Sequence, residues 1–210
     1  MTQPADDLRQ EFGAIDIYVF DQLLRGRITQ GMRVLDAGCG GGRNVVFMLR
    51  RGFDVSAVDT SEHAIVAIRE LAARVAPEPP TAGRFRLEAV EGMSFDEESF
   101  DIVLSSAVLH FARDEAHWWA MTREMWRVLA PGGMLFSRLA TTIGHESRVR
   151  PLGSRRFIMP DGEERFLVDE AFIITATREL GGTLVDPIKT SVVQDRRSMM
   201  TWVVRKQVTS

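Results

Sequence analysis

The chain has 210 residues, with 26 Lys and Arg against 29 Asp and Glu, a formal net charge of −3, 45% hydrophobic and 26% charged residues. That balance fits one globular domain over 1–210 that buries its core without disulfides or metal, and it argues against a broad nucleic-acid footprint. One cysteine allows no internal disulfide, residues 1–7 lack the basic and apolar regions of a secretion signal, and no apolar run is long enough to span a bilayer. A cytoplasmic protein, monomer or homodimer, is expected.

Residues 8–28 carry Phe12, Ile15, Val19, Leu23 and Leu24 at helical spacing, which predicts an extra N-terminal helix laid over the rest as a cap spanning 1–30. A short strand at 34–35 enters a glycine cluster, a helix follows over 44–51, and 54–59 reads as a second strand. Ser61 caps a helix to 75 that places Ile65, Ile68 and Leu71 on one face. A Pro/Gly break at 76–83 leads to a third strand over 84–90 that alternates at period two, and 100–105 is a buried fourth. Over 114–129, Trp118, Met121, Met125, Trp126 and Leu129 make one helical stripe; Pro131-Gly132-Gly133 stops it before a fifth strand at 133–139. Strands alternating with helices predict a doubly wound, mostly parallel α/β sheet with helices on both faces. Residues 141–162 are rich in Gly, Pro and Arg and read as an irregular insertion loop, counted to 166, on the substrate side. A helix over 168–180 and strand-like runs at 183–193 and 199–205 predict a C-terminal antiparallel hairpin.

The most informative stretch is Val-Leu-Asp-Ala-Gly-Cys-Gly-Gly-Gly-Arg-Asn (34–44). A strand ending in Asp36 runs into glycines at 38, 40, 41 and 42 and then a helix, a loop whose backbone can approach a ligand closely. A dinucleotide fingerprint counted from Gly38 would need a third glycine where Arg43 stands. A carboxylate at the mouth of such a site repels pyrophosphate and suits a cationic ligand such as S-adenosylmethionine, which has an ammonium and a sulfonium and no phosphate. Asp59, at the end of the second strand, is placed to accept a pair of ribose hydroxyls, with Thr60 flanking the base. Each acid also has a plain reading as a cap or turn residue.

With Val-Ser-Ala-Val-Asp (55–59), Met-Ser-Phe-Asp-Glu-Glu-Ser-Phe-Asp (93–101) and Arg-Val-Leu-Ala-Pro-Gly-Gly (127–133) in register behind it, this stretch resembles the class I S-adenosylmethionine-dependent methyltransferases. Gly-Gly-Arg-Asn (41–44), Gly-Phe-Asp-Val (52–55) and Trp-Val-Val-Arg-Lys (202–206) are similar, over shorter stretches, to the tellurite-resistance methyltransferases. The resemblance implies a seven-stranded sheet with the hairpin last, S-adenosyl-L-methionine as cofactor, and S-adenosyl-L-homocysteine as product. By position it implies Gly38 and Gly40 along the methionyl part and Asp36 near its ammonium, directly or through water. It further implies Asp59 on the ribose, Ala89 and Val90 at the adenine edge, and Ser106, beside Ser105, offering backbone contacts. Many relatives have an Asp where Ala89 stands; here the Val90 backbone, Glu88 or Glu91 must serve instead.

Methyl transfer from a sulfonium is an in-line displacement in which alignment and exclusion of water are the main tasks. A soft nucleophile needs no base, whereas a hydroxyl or amine loses a proton. His110, just past the fourth strand, is the catalytic candidate, as base or substrate contact, and otherwise anchors its loop. Tyr18, Arg43, Arg138 and His145 are candidate substrate or lid residues, each with a packing or ion-pair alternative; Arg155 and Arg156 hint at an anionic substrate or a solvated loop. Trp118 and Trp119 either stack on a flat substrate or pack in the core, and Cys39 reads as a small residue between glycines. His110 and His117 make no metal set. The expected partner is a small-molecule acceptor, with no membrane and no nucleic acid. The rivals are an NAD(P)-dependent oxidoreductase on a related sheet and a catalytically silent binding protein of the same fold.

Overall fold

The computed structural model describes residues 4–208 apart from Pro79 and Ala82, so the first three residues of the leading segment and one proline of the 76–80 break lie outside the described residues. The chain runs α1 (Pro4–Phe12), α2 (Ile17–Leu24), β1 (Arg33–Ala37), α3 (Val46–Arg50), β2 (Asp54–Asp59), α4 (Glu62–Val75), β3 (Phe85–Leu87) and β4 (Phe100–Ser106). A 3-10 turn (Leu109–Phe111) follows, then α5 (Glu115–Val128), β5 (Leu129–Ala140), β6 (Arg150–Gly153), β7 (Arg156–Ile158), β8 (Glu164–Phe166), α6 (Glu170–Glu179), β9 (Gly182–Leu184), β10 (Lys189–Val193) and β11 (Arg197–Lys206).

Seven strands lie in the order β10-β11-β5-β4-β1-β2-β3, and short β9 pairs with the far end of β11. β1 pairs parallel with both β2 and β4, so the strand order reverses there, and ligands of open α/β sheets bind at the carboxyl ends of strands beside such a reversal. β11 runs antiparallel to β5 and to β10, as the hairpin pattern predicts. Alternate residues serve opposite faces: Leu35, Val103, Trp202 and Val204 join the core under α5 and α6, while Val34, Ile102, Leu104 and Val203 join the one under α3 and α4. Each fully buried Leu, Ile or Val contributes roughly 1.5–3 kcal/mol, so the two cores hold the sheet without covalent links. Helix starts are fixed by side chains: Asp114 accepts the His117 N–H (2.7 Å), Asp169 that of Phe172 (2.7 Å) and Ser61 that of Ala64 (3.4 Å).

Four sequence expectations change. The leading segment is two helices, because the Gly13 N–H closes α1 on the Arg9 carbonyl (2.8 Å) and Asp16 starts α2 by accepting the Tyr18 N–H (2.9 Å). The third strand keeps its alternation only over Phe85–Leu87, since the chain turns where the Gly92 N–H meets the Ala89 carbonyl (3.1 Å). The run 183–193 is split into β9 and β10 around Asp186-Pro187, where buried Asp186 accepts from Arg27 (2.7 Å) and Gln22 (3.2 Å) of the leading segment. The 141–166 insertion is not irregular: β6, β7 and β8 form an antiparallel sheet of their own, with Ser154 and Arg155 turning the first hairpin at positive φ.

Candidate active site

Beyond β1 the chain is drawn across the end of β2, where the Gly38 and Cys39 N–H groups both donate to the Val58 carbonyl (2.9 and 3.0 Å). Gly38 has φ +80, and a Cβ there would stand 2.5 Å from Val108 Cγ2, so the loop and the turn after β4 touch because residue 38 has no side chain. Asp59 fastens the same loop from below: Oδ2 accepts the Gly40 N–H (2.8 Å) and Oδ1 accepts the Ser61 N–H (2.9 Å) at the start of α4. Arg43 reaches over the loop to Ser106 Oγ (3.2 Å) and to the Ala14 carbonyl (3.5 Å).

Between these groups lies a cavity of about 610 Å³. Gly38 to Gly41 and Arg43 form one wall, Asp59 and Thr60 another, and Val90 with Glu91 enters after β3. Ser106, Ala107 and Val108 close it from β4, Phe111 from the 3-10 turn, and His117 and Met121 from α5. The structure therefore gathers Gly38, Gly40, Arg43, Asp59, Thr60, Val90 and Ser106 of the predicted set. It also brings together Glu91 and His117, which lie on different elements. His117 Nδ1 accepts the Arg113 N–H (3.1 Å), which leaves Nε2 protonated to donate to Glu91 Oε1 (2.9 Å). Burial raises the Glu91 carboxyl, but hydrogen bonds from the backbone and from His117 outweigh it and hold the group below its ordinary value. Glu88 is engaged elsewhere, accepting from the Ser94 N–H (2.9 Å) and hydroxyl (2.5 Å). The signal for Glu91 was its offset of one from Val90; Asn44, which also lines the cavity, accepts the buried Asp16 N–H (3.0 Å) and had only its place behind the glycines.

Other predicted residues stand elsewhere. Asp36 is buried and does not line the cavity, and its Oδ2 has no partner among the described residues. Desolvation pushes its carboxyl up to about 7, opposed by Arg43 and aided by Asp59. The expectation that Asp36 makes the crevice negative is thus corrected: the acids facing it are Asp59 and Glu91, balanced by Arg43 and Arg113. Ala89 does not line the cavity. Tyr18 bonds Ser191 on β10 through its hydroxyl (2.6 Å), and Arg138 lies over the Tyr18 ring while paired with buried Asp16. His145 is buried, with Nε2 3.3 Å from the Gln194 carbonyl. None of these three lines the cavity, because packing between the leading helices, β5 and the last hairpin holds Tyr18 and Arg138, and the 141–149 turn holds His145. Arg155 pairs with Asp169 (2.9 Å) and Arg156 with Glu164 (2.6 Å), fastening the small sheet rather than facing an anion. Trp118 is fully buried among Phe172, Phe166 and Trp202, away from the cavity, and Cys39 lines the cavity but burial raises its thiol and keeps it protonated. His110 lines a second, adjoining cavity.

A family model described as a methyltransferase domain matches residues 35–137, the stretch that builds β1 to β5 and the cavity. The matched stretch is a methyltransferase domain and supports a class I S-adenosylmethionine-dependent methyltransferase. Among curated proteins it is 30% identical to a ubiquinone biosynthesis O-methyltransferase from a Chelativorans species, over 76% of this chain and 64% of that one. It is 34% identical to a malonyl-[acyl-carrier protein] O-methyltransferase from Erwinia billingiae, over 56% of this chain and 43% of that one. The chain thus spans less than two thirds of the length of these relatives. In fold it is similar to an S-adenosylmethionine-dependent methyltransferase from Methanosarcina mazei, with a TM-score of 0.72 at 19% identity, covering 89% of this chain and 98% of the other. No helix among the described residues is long and apolar enough to cross a membrane.

Proposed function

We propose that this chain transfers a methyl group from S-adenosylmethionine to a small-molecule acceptor by in-line displacement. It works as one domain, with 1–30 as a helical cap and 141–166 on the substrate side. The observation that carries the reading is Asp59, a carboxylate at the end of β2, facing the 610 Å³ cavity and locked by two backbone N–H groups. Each carboxylate oxygen keeps a second acceptor site, so Asp59 can still take a vicinal pair of hydroxyls. A cavity of this size falls within the range of small-ligand sites, and its apolar Val90 and Met121 beside Glu91 suit a flat base with an amino group. Glu91, oriented by His117, takes the role that relatives give to an Asp at position 89. Bound there, S-adenosylmethionine supplies a methyl group made electrophilic by its positive sulfur.

The protein's own groups do the rest. Gly38 lets the backbone of the loop approach the ligand, and Arg43 spans the entrance and offers a cation to a carboxylate. Buried Asp36 gives up its proton when a positive charge is placed near it. Ser106 and Ala107 form the wall toward the acceptor. The oxidoreductase alternative is weaker, because the residue at the third glycine position, Arg43, crosses the loop to Ser106. The relatives are named as O-methyltransferases, so oxygen acceptors are the first to try. Calorimetry with S-adenosylhomocysteine tests the reading. The protein should bind it, and Asp59→Ala should weaken binding by about 1.5–3 kcal/mol, the worth of hydrogen bonds to a charged acceptor. A product-release assay over phenols, carboxylates, thiols, chalcogen oxyanions and amines then finds the acceptor. No binding of S-adenosylhomocysteine, with stabilisation by NADH instead, overturns the assignment.

A further inference from the structure

A second cavity, about 690 Å³, opens on the other side of Ala107, the residue that lines both. The 3-10 turn divides the two: Phe111 faces the first, His110 the second, and their rings lie 4.6 Å apart. Much of the second cavity's lining is apolar, from Ala140, Met159, Pro160, Val193 and Met199. His110 is its buried polar group: the residue is 9% exposed, and Nδ1 has no hydrogen-bond partner among the described residues. Among the described residues no hydrogen bond fixes its tautomer, so the ring can donate or accept.

The charges around this chamber are unbalanced. Of its two acids, Asp195 is paired with Arg148 (2.7 Å) and Asp161 accepts the Glu163 N–H (3.0 Å). Of its three arginines, Arg165 pairs with Glu163 (3.3 Å), while Arg196, on the β10–β11 turn, and Arg197, at the start of β11, have no ion pair among the described residues. A free carboxylate, unlike a neutral group, gains charge-assisted hydrogen bonds from guanidinium groups in such a place.

We propose that this second cavity is the acceptor site and that its ligand is a largely apolar small molecule bearing an anionic group. The anion lies toward Arg196 and Arg197, the body against Met159 and Met199, and the reacting end near His110 and Ala107. The inference rests on the methyltransferase reading, since the first cavity must hold the methyl donor for the second to face it. The β6–β8 sheet and the last hairpin then set specificity, which explains why the family match, ending at residue 137, does not reach them.

The test uses the full chain saturated with S-adenosylhomocysteine, titrated with aromatic and aliphatic carboxylates, each paired with its uncharged methyl ester. Methionine-methyl NMR reports where each compound binds. Carboxylates should bind at least about tenfold more tightly than their esters, the size expected for hydrogen bonds between charged partners. They should shift the signals of Met159 and Met199 more than that of Met121, which lines the first cavity. The exposed double variant Arg196→Ala/Arg197→Ala should erase the preference while leaving S-adenosylhomocysteine affinity unchanged. Equal binding of acid and ester, binding of neither, or a preference that survives the double variant overturns the proposal. Failure to bind S-adenosylhomocysteine at the outset removes the underlying reading, and this inference with it.

Discussion

Replacing Asp36 by Asn should make the ligand-free protein more stable, and more so at alkaline than at acid pH. Asp36 is fully buried, Oδ2 has no partner, and desolvation lifts its carboxyl from 3.8 to about 7. A group whose folded-state value is raised supports the fold while protonated and loses that support as pH rises toward the folded value. At 1.36 kcal/mol per pKa unit, the penalty of ionising Asp36 is about 1.5 kcal/mol at pH 5 and levels near 4 kcal/mol above pH 7. Asn has the same shape and no charge to bury. Urea unfolding of the two proteins at pH 5, 6, 7 and 8 should show a gap that widens by about 2–3 kcal/mol and then stops growing; titrating groups distant from Asp36 cancel in the difference. The same substitution should weaken S-adenosylhomocysteine binding, because it removes the charge that a cation above Gly38 draws out. A stability gap independent of pH would show that Asp36 is solvated or already paired, and the reasoning would fall.

His110 has the opposite sign: burial, helped by Arg165, lowers it from 6.5 to about 4, so its contribution is lost as pH falls through that interval. Relative to His110→Phe, the wild type should lose up to about 3 kcal/mol between pH 6.5 and 4 in acid unfolding curves; parallel curves count against a buried neutral imidazole. Gly38→Ala should cost about 1–3 kcal/mol through its positive φ and its collision with Val108, and Val108→Ala should recover part of it in thermal melts. Gly41→Ala, with nothing within 4 Å and no positive φ, should change stability by less than about 0.5 kcal/mol. Glu91→Ala should weaken S-adenosylhomocysteine binding about tenfold in calorimetry, and Glu88→Ala should leave it unchanged, because Ser94 already occupies the Glu88 carboxylate. Equal effects would remove Glu91 from the base site.

The parts of the fold that showed in the sequence are those where local chemistry and tertiary need agree. Ser61, Asp114 and Asp169 cap helices that their own apolar spacing already announces, and the apolar runs of β4 and β11 persist as strands because both faces are packed. The glycine loop was readable because Gly38 is demanded by its own backbone and by Val108. Failures cluster where distant partners decide. Asp186 interrupts the 183–193 run for the sake of Arg27 and Gln22, more than 150 residues away in sequence. Asp36 looked like a site acid because its position on β1 was correct, but the depth of a side chain depends on tertiary packing that one strand's sequence does not show. The small β6–β8 sheet escaped because its strands are three or four residues long and barely buried, too short for a period to register.

Asp16 carries a consequence for how the molecule reaches its working shape. Its backbone N–H meets Asn44, its carboxylate meets Arg138 across 122 positions of sequence, and neighbouring Tyr18 meets Ser191 across 173. Contacts that span so much chain are the last to form, since each closes a long loop. During synthesis the leading helices must therefore wait, with Val19 and Gln22 still uncovered, until the final hairpin has emerged. The contacts to the glycine loop itself, Asp16 to Asn44 and Arg43 to Ala14, span only 28 and 29 positions, so that rim can close early and the far hairpin then locks it in place.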